Sequence, residues 1–418
     1  MIKRSTTDHI IIGLDIGTTK IAIAVGESMK GGLKFHGMYA YPSAGMRKGI
    51  VVNMEEMILS IRNALQDAGA ASGVDINSVY VSVSGAHIKG CCNVGSAGIG
   101  GREVTCADID RVFDSAKALY VPLDREILHV MPAGYSVDGL SGIKDPLGMT
   151  GERLEEKVYA ITGAATPIQN LLRCCEKAGV EVADMVFAPA ASAGTMLTDD
   201  ERELGVALVD IGGGTTDILL FKDGWPIHAS VLAIGGNHFT NDLAIGLRIP
   251  VDEAERIKKS FGAAAAQMVS DSEQIEIVLS GQKRTIYRRL VAEILQARTD
   301  EFLDLIQKEF PSDSCESSLT GVVLTGGGAL LNGIDRMAEE AWGLPVRAMS
   351  HIDMHGNDQC LENNPAYGVG AGLVRYGFDD SSEGLYARDA VVGIFGRLKD
   401  WAKEIFKIHK GGIEYVRN

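Results

Sequence analysis

Asp15-Ile-Gly-Thr-Thr-Lys20 and Asp210-Ile-Gly-Gly-Gly-Thr-Thr-Asp217 are one short theme written twice, about half a chain apart. Each lies between apolar runs, Ile10 to Gly26 in the first case and Leu204 to Phe221 in the second, which read as paired strands opening a buried sheet. Glycine in such turns permits positive φ and lets backbone N–H groups approach an anion without an intervening side chain. Gly17, Thr18, Thr19 and Lys20 on one side, with Gly212, Gly213, Gly214 and Thr215 on the other, would close over an anionic tail such as a triphosphate. The leading carboxylates, Asp15 and Asp210, suit a hydrated Mg²⁺, because hard cations prefer oxygen ligands and retain water. One Asp-x-Gly turn alone would be an ordinary hairpin. Two copies, with a third glycine turn at Thr325-Gly-Gly-Gly328, count against coincidence. The G-x-x-x-x-G-K-[ST] phosphate loop is absent, so the grip is of another kind.

Composition narrows the class. The 418 residues suffice for two or more domains, and with 46% hydrophobic residues and 50 glycines they read as an α/β protein. A formal charge of −15 argues against general affinity for nucleic acid. Seven cysteines with no C-x-x-C spacing argue against a zinc site or disulfide framework and for a reducing cytoplasm. Neither a signal peptide nor an apolar run of roughly 20 residues is expected.

Along the chain, helices are expected at Met54–Ala68, Ala107–Leu119, Pro167–Lys177, Asp252–Phe261 and Ile286–Glu309, with strands at Val79–Ser84, Ile127–Tyr135, Lys157–Ile161 and Gly321–Leu324. The texture changes between 85 and 162, which reads as a small α+β insertion. The expected division is 1–84 and 163–192 for the first large domain, 193–360 for the second, and 361–378 for a closing helix of the first. A polar linker over 379–390 and an amphipathic helix over 391–410 complete it.

The turns resemble the two phosphate motifs of the actin, heat-shock chaperone and sugar kinase superfamily, and Thr325–Ile334 is similar to its adenosine motif. Pro189–Gly194 and Asn364–Gly370 resemble its two connecting helices. Within that superfamily the chain is similar to the FtsA family of bacterial division proteins. Ser84–Gly90, Arg125–Pro132 and Asp145–Leu154 carry this likeness, matching the inserted subdomain that distinguishes the family. The resemblance implies an α/β, actin-like (ribonuclease H-like) duplicated ATPase fold with an inserted subdomain, and ATP and Mg²⁺ as cofactors. It also implies an adenosine site using Gly235, Gly236, Glu255, Lys258, Gly326, Gly327 and Gly328. Glu255 and Lys258 are one helical turn apart and share a face; without the flanking motifs they would read as a surface ion pair. Relatives that shape rods place a Glu before the Pro of the first connecting segment, whereas this chain has Ala188 before Pro189. Asp210 is then the remaining acid that could position water, and slow hydrolysis is expected.

The resemblance further implies the tail of the tubulin-like protein FtsZ as main partner, self-association into filaments, and contact with later division proteins. Arg284, Arg288 and Arg289 are candidates for an acidic tail, with a solvated charged face as the alternative. Toward the C-terminus, Ile394, Leu398, Trp401, Ile405 and Ile408 gather on one helical face at about 100° per residue, with Phe395 and Phe406 along its edge. Lys399, Lys403, Lys407 and Lys410 fall on or near the other face, and residues 397–410 hold five basic against two acidic side chains. Such a helix suits an anionic lipid surface, and the FtsA likeness agrees, placing the chain peripherally on the inner face of the cytoplasmic membrane at the division site. A last helix docked on the core is the alternative. A small-molecule kinase, a rod-shape or plasmid-segregation filament protein, and a pilus-assembly relative are the competing readings of the whole.

Overall fold

The computed structural model describes residues 9–29, 32–118, 121–279, 282–310, 319–348 and 364–382. The expected linker beyond 382, the amphipathic helix, Cys315 and Cys360 lie outside these residues.

The Asp15 turn folds His9–Ile16 back on Lys20–Met29 as an antiparallel hairpin, with Asp15 opposite Ala22. Gly32–Pro42 adds a third antiparallel strand, and Ser78–Val83 and Glu181–Phe187 add two parallel ones on the opposite side. The Asp210 turn starts the same construction again. Val206–Ile211, Thr216–Lys222 and Trp225–Leu232 run antiparallel, and Gly321–Thr325 and Val346–Arg347 join in parallel. Both five-stranded sheets therefore have the same order: third, second and first strands, then two parallel additions. The duplicated actin-like architecture is present, with mixed sheets rather than purely parallel ones.

Packing follows from the side-chain alternation. Val206 and Leu208 join the core of the first lobe, whereas Ala207, Val209 and Ile211 face the core of the second. A sheet covered on both faces explains why these strands read as unbroken apolar runs. In the first lobe, helix Met54–Ser72 buries Met57, Ile61, Ala64 and Ala68, the stripe of a 3.6-residue repeat. Asn53 caps its start by accepting from the Glu55 and Glu56 amides, and Gly73 ends it in the left-handed region.

The segment after Ser84 forms an antiparallel sheet of Lys89–Glu103, Thr150–Ala164, Arg125–Val137 and Leu140–Ile143. Helix Cys106–Lys117 covers it over a small core that includes Ile99, Val112 and Leu154. Three elements differ from the sequence expectation. Strand Lys89–Glu103 was not expected because its five glycines depress strand propensity. Gly95 shows their use: a Cβ there would lie 2.3 Å from the Val112 carbonyl oxygen, so the bare backbone lets the helix lie directly on the strand. Residues 274–287 form a hairpin, Gln274–Leu279 with Gln282–Tyr287, so the following helix begins at Arg288 rather than Ile286. The last described helix, Gly368–Ser382, passes Phe378, where the polar run had suggested a linker. Its acids have partners there: Asp379 pairs with Arg375 at 3.0 Å and Asp380 accepts from the Tyr80 hydroxyl at 2.8 Å. Among the described residues, no helix is long and apolar enough to cross a membrane.

Candidate functional site

Each Asp turn closes with the same hydrogen bond. The Gly17 amide donates to the Lys20 carbonyl and the Gly212 amide to the Thr215 carbonyl, both at 2.9 Å. The two turns then meet across a cleft of about 640 Å³ between the lobes, within the usual size range of ligand pockets. A Cβ on Gly213 would lie 2.6 Å from the Thr19 hydroxyl oxygen, and one on Gly214 would lie 2.5 Å from that of Thr18. The first turn thus projects threonine side chains into space that the second leaves empty.

Asp15, Gly17, Thr18, Thr19, Lys20, Asp210, Gly212, Gly213 and Thr215 all line the cleft, together with Gly236, Glu255, Lys258 and the turn Gly326–Gly328. Gly214 and Gly235 are not in its wall. Gly235 instead abuts the second turn: the Gly236 and Asn237 amides donate to the Gly212 and Gly213 carbonyls at 2.9 and 2.8 Å. Gly326 has φ +82°, and any side chain there would strike Asp210. On helix Val251–Phe261, Lys258 bonds Glu255 at 2.7 Å, the Gly236 carbonyl at 3.0 Å and the Thr240 hydroxyl at 2.8 Å. Burial opposes the charge of Glu255, yet the neighbouring Lys258 holds its pKa below the ordinary carboxylate value. The pair is a fixed part of the wall rather than a solvated surface pair.

Electrostatics concentrate at the turns. Burial raises the pKa of Asp210 to about 7, with the Asp15 charge adding to it and Lys20 opposing it. Burial likewise raises Asp15, against Lys20 and the Ser82 hydroxyl, and raises Asp217 well above the ordinary value, helped by Asp210. Lys20 is lowered by its own burial, which outweighs both carboxylates. Its ammonium donates to the Ala366 carbonyl and lies 4.6 Å from the centre of the Tyr367 ring. At the turns themselves three buried acids face one buried amine, a local deficit of positive charge that suits a divalent cation, while Lys258, Lys259 and Arg288 stand elsewhere in the cleft wall. Among the described residues no acid, His or Cys trio converges to ligate a metal directly, so Asp15 and Asp210 would hold a hydrated ion.

Among the cleft residues that the sequence reading did not assign are Ser82, Ser84 and Asp217. Ser82 donates to Asp15 at 2.8 Å while accepting from the Ile16 amide at 3.1 Å. Ser84 reaches across the lobes to both oxygens of Asp217 at 2.7 Å. Asp217 was visible as the last acid of the second turn, facing Asp210 across its hairpin; the serines had no local signal. Ala188 lines the cleft, and its side chain carries no oxygen for water activation. The structure places the three arginines in different surroundings. Arg284 is exposed on the hairpin, Arg289 is ion-paired with Asp271 and Glu293, and Arg288 lines the cleft.

Sequence comparison gives a consistent result. The family model of the cell division protein FtsA matches residues 207–372, and that of the SHS2 domain inserted in FtsA matches residues 85–162. Cell division protein FtsA of Pseudomonas aeruginosa is 39% identical over 410 residues, covering 95% of this chain and 98% of that protein. FtsA of Escherichia coli K12 is 34% identical over 422 residues, covering 97% and 100%. Among solved structures, a PilM–PilN type IV pilus biogenesis complex matches with TM-score 0.64 at 14% identity, over 88% of this chain and 98% of that one. MreB5 of Spiroplasma citri bound to ADP matches with TM-score 0.55 at 15% identity, over 90% and 98%. At such identities these two likenesses speak for the fold alone.

Proposed function

The chain belongs to the FtsA family of cell division proteins, and from that premise we propose that it binds ATP with Mg²⁺ and tethers FtsZ filaments to the inner face of the cytoplasmic membrane at the division site. The observation that carries the nucleotide reading is the meeting of two matched Asp turns, one from each lobe, over a single cleft. When bound, ATP supplies the polyphosphate that both turns can grip. Backbone amides of the turns, the hydroxyls of Thr18, Thr19 and Thr215, and the Lys20 ammonium hold its oxygens. Asp15 and Asp210 hold hydrated Mg²⁺, and the Glu255–Lys258 pair and Gly326–Gly328 hold the adenosine. The 15%-identical MreB5 structure was solved with ADP, which favours a nucleotide in this fold.

Hydrolysis is slow in this reading. Phosphoryl transfer needs an oriented water, and Ala188 in the cleft wall has a methyl side chain and no carboxylate; Asp210 is the acid left to orient one. The nucleotide then serves chiefly to close the lobes and stabilise the form that assembles into filaments and recruits later division proteins. Membrane attachment rests on the Trp401, Phe395, Phe406, Lys399 and Lys403 pattern, with Ile394, Leu398 and Ile405 completing the apolar face. Arg284, exposed on the hairpin of the second lobe, is the arginine open to an acidic FtsZ tail, whereas Arg289 would first have to leave Asp271 and Glu293.

Flotation of FtsZ with liposomes containing anionic lipid tests the whole reading. With this chain and Mg²⁺–ATP present, FtsZ floats with the vesicles; with Trp401→Glu it stays at the bottom. Equal flotation with both proteins would overturn the membrane role.

A further inference from the structure

The cleft wall that holds Glu255 and Lys258 also includes Gly262, Leu331, Asn332 and Arg288. Arg288 is the first residue of helix Arg288–Gln307 and only one-fifth of its side chain is exposed. Its guanidinium is anchored from two directions. Nε donates to the Phe261 carbonyl at 2.8 Å, at the end of the helix that carries Glu255 and Lys258, and Nη1 donates to both Glu273 oxygens at 2.8 and 3.1 Å. Nη2 has no protein partner among the described residues. Arg289, the next residue, is committed to Asp271 and Glu293 and is not in the cleft wall.

A planar cation fixed in this way, with one amino group unspent in a ligand cleft, differs from an arginine waiting for a protein tail. Guanidinium groups stack on aromatic planes and donate to ring nitrogens and carbonyls. Orientation by Glu273 and Phe261 means that little side-chain entropy is lost on binding. We propose that Arg288 is a specificity residue for the purine base of the nucleotide, with Glu273 as its positioning residue. This rests on the nucleotide reading of the cleft. Arg288 lines the cleft with Glu255, Lys258 and Gly326–Gly328, the residues assigned to the adenosine, and the second ring of a purine offers its guanidinium a stacking area that a pyrimidine lacks, so it favours ATP over UTP.

Competition titrations of Mg²⁺–ATP and Mg²⁺–UTP against a fluorescent ATP analogue, on the full chain, separate the possibilities. Wild type prefers ATP. Arg288→Ala weakens ATP about ten-fold, the scale of one lost charge-assisted hydrogen bond, and leaves UTP unchanged. Arg288→Lys keeps the charge without the fork and shows the same selective loss. Glu273→Gln loses part of the preference by freeing the guanidinium. Parallel weakening of ATP and UTP would mean that Arg288 only supports the wall, and unchanged ATP affinity would mean it does not face the base; either overturns the proposal. Failure of wild type to bind either nucleotide would instead remove the nucleotide reading, and this inference with it.

Discussion

The two lobes share one strand order and one turn, yet the turns do opposite things. The first ends in Lys20 and fills the cleft with Thr18 and Thr19; the second adds glycines and ends in Asp217. Where two halves of a duplicated fold close on each other, identical bulky turns would collide. One side therefore carries the side chains and the other becomes backbone. The charge of the turns divides in the same way: the amine, Lys20, is in the first lobe, and two of the three acids, Asp210 and Asp217, are in the second.

Giving the second turn bulk should break this division most severely. Gly213→Val drives a side chain into Thr19, and ATP affinity should fall about 100-fold, equivalent to roughly 3 kcal/mol at the upper end of overpacking costs. Calorimetric titration with retained far-UV circular dichroism checks this. Stripping the first turn of its cation comes next. Lys20→Met should weaken ATP by about 30-fold, within the range for a lost charge-assisted contact, read by the same titration; an unchanged affinity would assign Lys20 to Ala366 and Tyr367 alone.

The smallest effect, taken per pH unit, sharpens the charge asymmetry. Burial raises the folded pKa of Asp210 from an ordinary 3.8 to about 7, so the folded state holds its proton more tightly than the unfolded chain. That stabilisation is complete below about pH 4 and is lost as the pH rises through about 7, with a slope of at most about 1.4 kcal/mol per pH unit for one group. Asp217 is shifted in the same direction. Nucleotide-free protein should melt at progressively lower temperature from pH 5 to 8, and Asp210→Asn should flatten the dependence. A nucleotide-free melting temperature that rises over that interval would contradict the assigned burial.

Much of the cleft was legible because its signals are local. A glycine turn between apolar strands reports its own geometry, and Glu255 and Lys258 report a helix face through their spacing. The missed pieces depend on distant partners. Strand Lys89–Glu103 is held by pairing with Thr150–Ala164, some sixty residues away, and its glycines look like breakers until a helix is seen lying on Gly95. Ser84 is an unremarkable serine until Asp217 arrives from the other lobe. Arg288 and Arg289 look equivalent in sequence and separate only when adjacent side chains leave a helix end in different directions.

The chain by itself determined the duplication, the three glycine turns and the insertion after Ser84, since these rest on hydrophobic period and backbone freedom within a few residues. Only the tertiary structure decided which turn fills and which makes room, which carboxylates crowd together, and which arginine enters the cleft. Those outcomes arise from steric exclusion and charge between residues brought together by folding, and neither acts until the lobes have met.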